Sequence, residues 1–173
     1  MHHREYHLTS NTGRLAKNTL PNCEIVLRGL EGQTINWENI IKKDEDTFIL
    51  YPSPNSIEAT PTNLLNEGKK GQKIHILVPD GSWKQASKVY KRESALKNIQ
   101  CIKLPEKNYQ SHYFLRRAPK ENYLCTYEAM SKVVEELESP NLSAMMQKNL
   151  EKLVNVSFKN RKHCLPELSK GSL

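Results

Sequence analysis

Residues 74–83 read Ile-His-Ile-Leu-Val-Pro-Asp-Gly-Ser-Trp, an apolar segment that runs directly into turn residues and a helix start. The apolar part has the length of one buried strand, and the Asp-Gly pair at 80–81 is typical of a turn. Ser82 and Gln85 have the spacing of a capping box, in which each side chain bonds the backbone N–H of the other residue. The sequence therefore predicts a strand, a turn and a capped helix in succession.

Four further segments have the apolar content and turn boundaries of short strands. They are residues 23–28, 47–51, 100–104 and, more weakly, 113–116. Apolar residues at helical spacing predict helices at 82–96, at 126–137 and after Pro140. The polar residues 60–72 predict a loop. Strands that alternate with helices predict an α/β fold, with a mainly parallel sheet flanked by helices.

Positive charge is concentrated in the middle of the chain. Residues 66–120 contain thirteen Lys and Arg against four acids, a net charge of +9, whereas the whole chain carries +7. In the helix after residue 82, Trp83 belongs to the stripe predicted to face inward. A basic flank lies beside it, formed by Lys84, Lys88, Lys91 and Arg92. Aromatic residues among these charges suit a surface that meets RNA phosphates and an unstacked base, although the charge alone is equally consistent with a solvated face.

Several classes of protein are excluded or disfavoured by composition. The uninterrupted apolar runs are short, four residues at 76–79 for example, whereas a membrane-spanning helix needs about 20. No secretory signal opens the chain, so we predict a cytoplasmic location and no membrane partner. The four cysteines include no Cys-x-x-Cys pair, so we predict ordinary buried thiols and no metal.

Asp80 is the first candidate for a functional residue. It stands at the carboxyl end of a predicted strand, where open α/β sheets usually bind their ligands. The alternative is an aspartate that only forms a turn or caps a helix. Because Ser82 already occupies the capping position, Asp80 is not needed as the cap, and this favours a ligand-binding role for Asp80.

The residues around Asp80 also resemble a known family. Asp80-Gly81-Ser82-Trp83 is similar to the Asp-x-Thr-Trp signature of the DTW-domain family, with Ser in place of Thr. Other segments resemble further blocks of that family, in the same order. They are residues 2–5 with 11–15, residues 50–52, residues 113–116 and residues 125–129. Together these blocks cover about residues 1–135.

The resemblance implies a single SPOUT-like domain over residues 1–173, with a C-terminal knot at the cofactor site. Family members usually carry a cysteine-rich, zinc-binding segment before the first block, and the chain is expected to lack it. The implied activity is transfer of the 3-amino-3-carboxypropyl group of S-adenosylmethionine to ring nitrogen 3 of a tRNA uridine, releasing 5′-methylthioadenosine. Two alternatives stay open, a SPOUT-class RNA methyltransferase and a non-catalytic RNA-binding module.

The resemblance and the positions of the residues together predict individual roles. Asp80 is expected to be the general base, or else to hold the amino group of the cofactor. The residues expected to bind the cofactor are Leu50, Tyr51, Pro52, Asp80, Gly81, Ser82, Trp83, Arg116, Leu124, Cys125 and Thr126. The residues expected to bind tRNA are Arg14, Lys84, Lys88, Lys91, Arg92 and Arg117. Helix capping is the plain alternative for Thr126 and Glu128, and the oligomeric state is left open.

Overall fold

The computed structural model of the protein describes residues 1–41, 45–65, 71–115 and 123–163. Within these ranges the helices are α1 (His3–Tyr6), α2 (Gly13–Thr19), α3 (Trp37–Ile40), α4 (Pro61–Leu64), α5 (Trp83–Arg92), α6 (Thr126–Leu137) and α7 (Pro140–His163). The strands are β1 (Asp46–Leu50), β2 (Ile57–Glu58), β3 (Ile74–Leu77) and β4 (Cys101–Lys103). A short 3₁₀ helix, Ser94–Leu96, follows α5. None of the helices described is long and apolar enough to cross a membrane.

The four described strands form one sheet in the order β2-β4-β1-β3, and every neighbouring pair is parallel. The α/β fold and the parallel sheet predicted from the alternation of strands and helices are therefore confirmed. Parallel sheets are usually covered on both faces, which explains why β3 reads as a nearly continuous apolar run. The SPOUT-like knot stays a prediction.

Side chains of successive strand residues alternate between two cores, as the two-residue period of a strand requires. Ile49 and Cys101 pack against α5 and the 3₁₀ helix on one face of the sheet. Phe48, Leu50 and Ile102 pack against α4 and α6 on the other face. The sheet is thus the middle of three layers, and its carboxyl edge is left open between them.

A third core lies among α2, α6 and α7. It contains Ala16 of α2, Tyr127 of α6 and Met146 and Leu150 of α7, all at most 2% exposed. Helix α6 therefore contributes to two cores, one against the sheet and one against the other two helices. This double packing fixes the start of α6 relative to the sheet.

Four local predictions differ from the structure. Residues 23–28 do not join the sheet, because Arg28 forms a parallel bridge with His2 and the segment pairs with the amino-terminal residues. The two-residue strand β2 was missed because it is too short to show a period. Within the predicted loop 60–72, α4 forms where Pro61 occupies the first helical position. At 113–115 the chain is not a strand, and residue 116 lies outside the described residues.

The start of α5 confirms one prediction and corrects another. Ser82 and Gln85 form the capping box, with Gln85 Oε1 accepting from the Ser82 N–H at 2.6 Å. Trp83, however, is 40% exposed rather than buried on the inward stripe. It is the first residue of the helix, and it faces an open cavity instead of the core that begins one turn later at Ala86.

Candidate active site

A cavity of about 600 Å³ opens at the carboxyl ends of β1, β3 and β4. Its wall also includes the loop before α2 and the first residues of α5 and α6. The volume falls within the range of small-molecule sites, which is about 300–1,000 Å³. The position follows from the topology, because ligands of open parallel sheets bind beyond the carboxyl ends of the strands.

Asp80 lies in the cavity wall directly after β3 and is only 7% exposed. Its Oδ2 accepts a hydrogen bond of 2.9 Å from Nδ2 of Asn11, which is itself 7% exposed. The other end of the Asn11 amide accepts from the backbone N–H of Arg14 at 3.0 Å, so the amide is fixed with its NH₂ towards the carboxylate. No donor among the described residues contacts Oδ1 of Asp80. That oxygen is left to accept from a ligand.

Gly13, the first residue of α2, lies close against the Asp80 carboxylate. A β-carbon added to Gly13 would lie 2.9 Å from both Cγ and Oδ2 of the Asp80 carboxylate. Contacts below 3.0 Å require one of the two groups to move. Glycine at this position therefore allows the backbone of α2 to approach the carboxylate and hold it at the cavity.

The start of α6 is organised by a buried carboxylate. Glu128, which is 7% exposed, accepts from the backbone N–H groups of Cys125 and His112 at 2.8 and 2.7 Å. It also accepts from the hydroxyl of Ser111 at 2.8 Å. Glu128 thus caps α6 and ties the loop before it to the helix. Burial and the nearby Glu128 carboxylate raise the pKa of the Cys125 thiol to about 12, so the thiol stays protonated at neutral pH.

The loop held by Glu128 supplies the wall opposite α5. Tyr113 is 8% exposed, and its hydroxyl donates to the carbonyl of Ser10, which joins this loop to the one before α2. The hydroxyl of Tyr109 is also buried, and no described residue is its hydrogen-bond partner. Burial raises the pKa of Tyr109 above its ordinary value, so the group is a neutral donor. A buried hydroxyl without a partner on a cavity wall is a natural contact for a bound polar group.

Comparison with known proteins identifies the chain at family level. The family model described as DTW domain matches residues 1–160. The chain belongs to the DTW domain family. A curated relative is tRNA-uridine aminocarboxypropyltransferase 2 of Drosophila melanogaster, 30% identical over 115 residues. The alignment covers 66% of this chain and 43% of the relative, so the chain spans less than half of that protein. No solved structure matches the chain significantly.

The DTW signature and the other family blocks meet in the cavity wall. Ten of the eleven residues expected to bind a cofactor line it. They are Leu50, Tyr51, Pro52, Asp80, Gly81, Ser82, Trp83, Leu124, Cys125 and Thr126. The eleventh, Arg116, lies outside the described residues. Segments distant in the DTW sequence are therefore brought to one place, while their roles stay predictions.

The basic residues expected to bind RNA fall into two groups. Lys84, Lys88, Lys91 and Arg92 are all exposed on one side of α5, and no acid of the described residues pairs with them. Arg14 does not line the cavity, because its guanidinium donates to the carbonyl of Tyr6 at 3.0 Å and lies over the Tyr6 ring. Arg117 lies outside the described residues.

Several contacts and residues of the wall were not predicted. Asn11 belongs to a DTW block, but its side-chain contact with Asp80 spans 69 residues and has no local signal. Glu5, Tyr109 and Tyr123 also line the cavity. Of these, Glu5 lies within the first family block and Tyr109 is one of the aromatic residues of the basic region 66–120, whereas no pattern in the sequence marks Tyr123. No group of three or more His, Cys, Asp and Glu side chains in the described ranges could hold a metal ion.

Proposed function

We propose that the chain is an S-adenosylmethionine-dependent tRNA-uridine aminocarboxypropyltransferase. The observation that carries the proposal is the buried Asp80 of the DTW signature: Asn11 holds its Oδ2 on the cavity wall, and no donor of the described residues contacts its Oδ1. Membership of the DTW family and the name of the Drosophila melanogaster relative support the reaction class.

The residues of the cavity fit such a cofactor. Most of the accessible surface of the wall is apolar, as is usual for small-molecule sites, and polar side chains such as Asp80 and Asn11 lie within it. The buried hydroxyl of Tyr109 has no partner among the described residues, and a ligand oxygen or nitrogen would satisfy it. In this proposal the adenosine part lies against residues 50–52 and 124–126, at the carboxyl end of β1 and the start of α6. When bound, S-adenosylmethionine supplies the aminocarboxypropyl group, and the breaking carbon–sulfur bond leaves its electron pair on the sulfur of 5′-methylthioadenosine.

The protein's task is then to prepare the uridine and to orient it. Ring nitrogen 3 of uridine carries a proton at neutral pH and is a poor nucleophile until that proton leaves. Asp80 accepts this proton through Oδ1, while Asn11 keeps Oδ2 in place. General-base assistance of this kind is typically worth about 10²–10⁴-fold in rate. The competing role of Asp80 is to hold the amino group of the cofactor.

The basic flank of α5 is the proposed contact for tRNA phosphates. It begins four residues after Asp80, and its cations point away from the core of the sheet. Each phosphate contact releases counterions, so the affinity for tRNA should fall steeply as salt is raised. Binding that does not change between low and high salt would contradict this part of the proposal.

The experiment that tests the reaction is incubation of the chain with tRNA and S-adenosylmethionine, followed by mass spectrometry of nucleosides and of the spent cofactor. Aminocarboxypropyl-uridine together with 5′-methylthioadenosine is the expected result. A methylated nucleoside with S-adenosylhomocysteine would instead assign a methyltransferase. Retained tRNA binding with no cofactor binding would assign a non-catalytic RNA-binding module.

The role of Asp80 is tested by Asp80→Asn, which keeps the shape and removes the base. We expect turnover to fall about 10²-fold or more while cofactor affinity changes little. Glu31→Gln, on an exposed loop away from the cavity, is the matched control for loss of one negative charge. Full turnover in Asp80→Asn would refute the base, and lost cofactor affinity would favour the anchoring role.

A further inference from the structure

Glu5 is a buried acidic side chain on the cavity wall that the proposed mechanism does not use. It is 8% exposed and is the third residue of α1, whose cap is His2. A glutamate at this position usually accepts from the backbone N–H of the cap residue, as Glu128 does in α6. In α1 the N–H of His2 donates to the carbonyl of Asp80 at 3.2 Å instead. Helix capping therefore does not explain why Glu5 lines the cavity.

The contacts around α1 hold Glu5 and Asp80 on the same side of the cavity. The bond from His2 attaches the start of α1 to the backbone of Asp80, and Glu5 follows about 4.5 Å further along the helix axis. The chain after α1 then returns to Asp80, because Asn11 donates to its carboxylate at 2.9 Å. Glu5, Asn11 and Asp80 all line the cavity. One segment thus places two buried acidic side chains on one wall.

The buried charge of this wall is negative. Among the described residues of the wall Lys103 is the one basic side chain, and it pairs at 3.5 Å with Glu106, whose side chain is 88% exposed. Buried charge is costly unless an opposite charge accompanies it. A positively charged ligand group is therefore favoured beside Glu5 and Asp80. S-adenosylmethionine has two such groups, the sulfonium and the α-ammonium.

The geometry of the cofactor separates two tasks. In the aminocarboxypropyl chain the ammonium lies two carbons beyond the carbon that is bonded to sulfur and attacked. A base for the attacking nitrogen acts at the near end of this chain, whereas a group that holds the ammonium acts at the far end. One carboxylate cannot occupy both positions, and the wall has two. Because a carboxylate has about four lone-pair positions, Glu5 can accept from an ammonium and keep a contact with the protein.

We infer that Glu5 binds the α-amino group of S-adenosylmethionine, which leaves Asp80 to accept the proton of the uridine. The inference rests on the proposed function for the identity of the cofactor. A charge-assisted hydrogen bond at the end of the chain fixes its orientation, so that the chain carbon rather than the methyl carbon on sulfur faces the uridine. Glu5 is then a binding residue that also determines which group is transferred.

The direct test is calorimetric titration of the parent and of Glu5→Gln with two ligands. S-adenosylhomocysteine carries the amino group, whereas 5′-methylthioadenosine lacks the chain that bears it. We expect Glu5→Gln to bind S-adenosylhomocysteine about tenfold or more weakly than the parent, and 5′-methylthioadenosine within about twofold of the parent. Glu31→Gln is again the control and should bind both ligands as the parent does. An unchanged affinity of Glu5→Gln for S-adenosylhomocysteine would overturn the inference, and so would an equal loss for both ligands, which would place the effect in folding or in the adenosine site.

A third ligand distinguishes the amino group from the carboxylate beside it. The deaminated analogue of S-adenosylhomocysteine keeps the carboxylate and has no amine. Glu5→Gln should not weaken its binding, because the neutral amide no longer repels the ligand carboxylate. A loss as large as that for S-adenosylhomocysteine would overturn the inference.

Asp80→Asn gives the comparison at the other acidic side chain. We expect this variant to bind S-adenosylhomocysteine within about twofold of the parent, because Asp80 acts on the uridine and not on the amino group. A selective loss of S-adenosylhomocysteine affinity in Asp80→Asn, without one in Glu5→Gln, would assign the amino group to Asp80 and overturn the inference.

Failure of the proposed function gives a different result. A parent chain that binds neither S-adenosylhomocysteine nor 5′-methylthioadenosine would refute the cofactor, and with it both the proposed function and this inference. A selective loss in Glu5→Gln, in a parent chain that forms no aminocarboxypropyl-uridine, would leave the contact at Glu5 standing and refute the transferase reaction.

Discussion

Helices α5 and α6 both begin on the wall of the same cavity, and a side chain at the third helical position caps each of them. At the start of α5 the cap is the neutral Gln85, which bonds only Ser82 and lies near solvent. At the start of α6 the cap is the carboxylate of Glu128, which is buried and accepts from three donors. Two of those donors belong to a separate loop, so this cap is also a tertiary contact.

The difference shows that one local pattern can serve two purposes. The cap of α5 satisfies the first turn of one helix only, and it leaves Trp83 and the basic flank free to contact a ligand. The cap of α6 fixes the loop that carries Tyr109 and Tyr113, which form the opposite wall of the cavity. The start of α5 is thus open to a ligand, whereas the start of α6 holds a loop of the cavity wall in place.

The largest expected effect is at Glu128. Glu128→Ala leaves the hydroxyl of Ser111 and the N–H groups of His112 and Cys125 without their acceptor. Because each is a hydrogen bond to a buried charged group, we expect the free energy of unfolding to fall by about 3 kcal/mol. Urea denaturation followed by circular dichroism measures this change. A loss below about 1 kcal/mol would mean that water replaces the carboxylate and that the tertiary role is wrong.

A second prediction concerns the carboxylate that precedes α5. In Gly13→Ala the new methyl group would lie 2.9 Å from the Asp80 carboxylate, so the carboxylate and the start of α2 can no longer keep their present separation. Displacement of a catalytic group by about 1 Å can cost 10²-fold, and if Asp80 is the base of the proposed reaction we expect a loss of that order in turnover. Alanine is a better helix former than glycine, so the free energy of unfolding should not fall in proportion.

Gly13→Ala should therefore lower turnover much more than it lowers the free energy of unfolding. The measurements are single-turnover rates and urea midpoints of the same preparation. Unchanged turnover would show that Asp80 tolerates displacement and would weaken its assignment as the base. An equal loss of stability and activity would place the effect in folding instead.

The third prediction uses the raised pKa of Cys125. Its pKa is about 12 in the folded chain, against 9.0 for an ordinary thiol. The unfolded chain therefore loses this proton from about pH 9 upward while the folded chain keeps it, so stability falls as pH rises from 9 to 12. Between pH 8 and pH 10 we expect a loss of about 1 kcal/mol from this group.

Other groups also titrate in this range, so the control is the same pH series on Cys125→Ala. The pH-dependent loss of stability should be smaller in that variant by about 1 kcal/mol. Parallel curves for the two proteins would show that the thiol is more accessible to water than the buried start of α6 implies.

Local patterns predicted much of the fold. The apolar run into Asp-Gly-Ser predicted β3 and the capped start of α5, and helical spacing predicted α6 at the residues observed. The predictions that failed concern segments whose structure depends on tertiary contacts. Residues 23–28 had the composition of a strand, but the amino-terminal residues supplied their partner in place of the sheet.

The candidate site divides in the same way. Asp80 was predictable because a strand end and a turn are local features. Its partner Asn11 was not, since the contact joins residues 69 apart. Trp83 was predicted to face inward from helical period alone, and only the open cavity beside it explains its exposure. The sequence indicated that Glu128 could cap α6. Its bonds to Ser111 and His112 were not predictable, because they depend on a loop that has no hydrophobic periodicity.

The smallest expected effect is at Gln85, the counterpart of Glu128. Gln85→Ala removes the acceptor of the Ser82 N–H, which solvent can replace, and keeps the bond from the backbone N–H of residue 85 to Ser82 Oγ. Loss of such a cap costs about 1 kcal/mol, and the higher helix propensity of alanine offsets part of it. We expect the free energy of unfolding to fall by about 0.5 kcal/mol, measured by the same urea titration as Glu128→Ala. A loss as large as that of Glu128→Ala would abolish the contrast between the two helix starts, because the exposed cap would then also support the cavity.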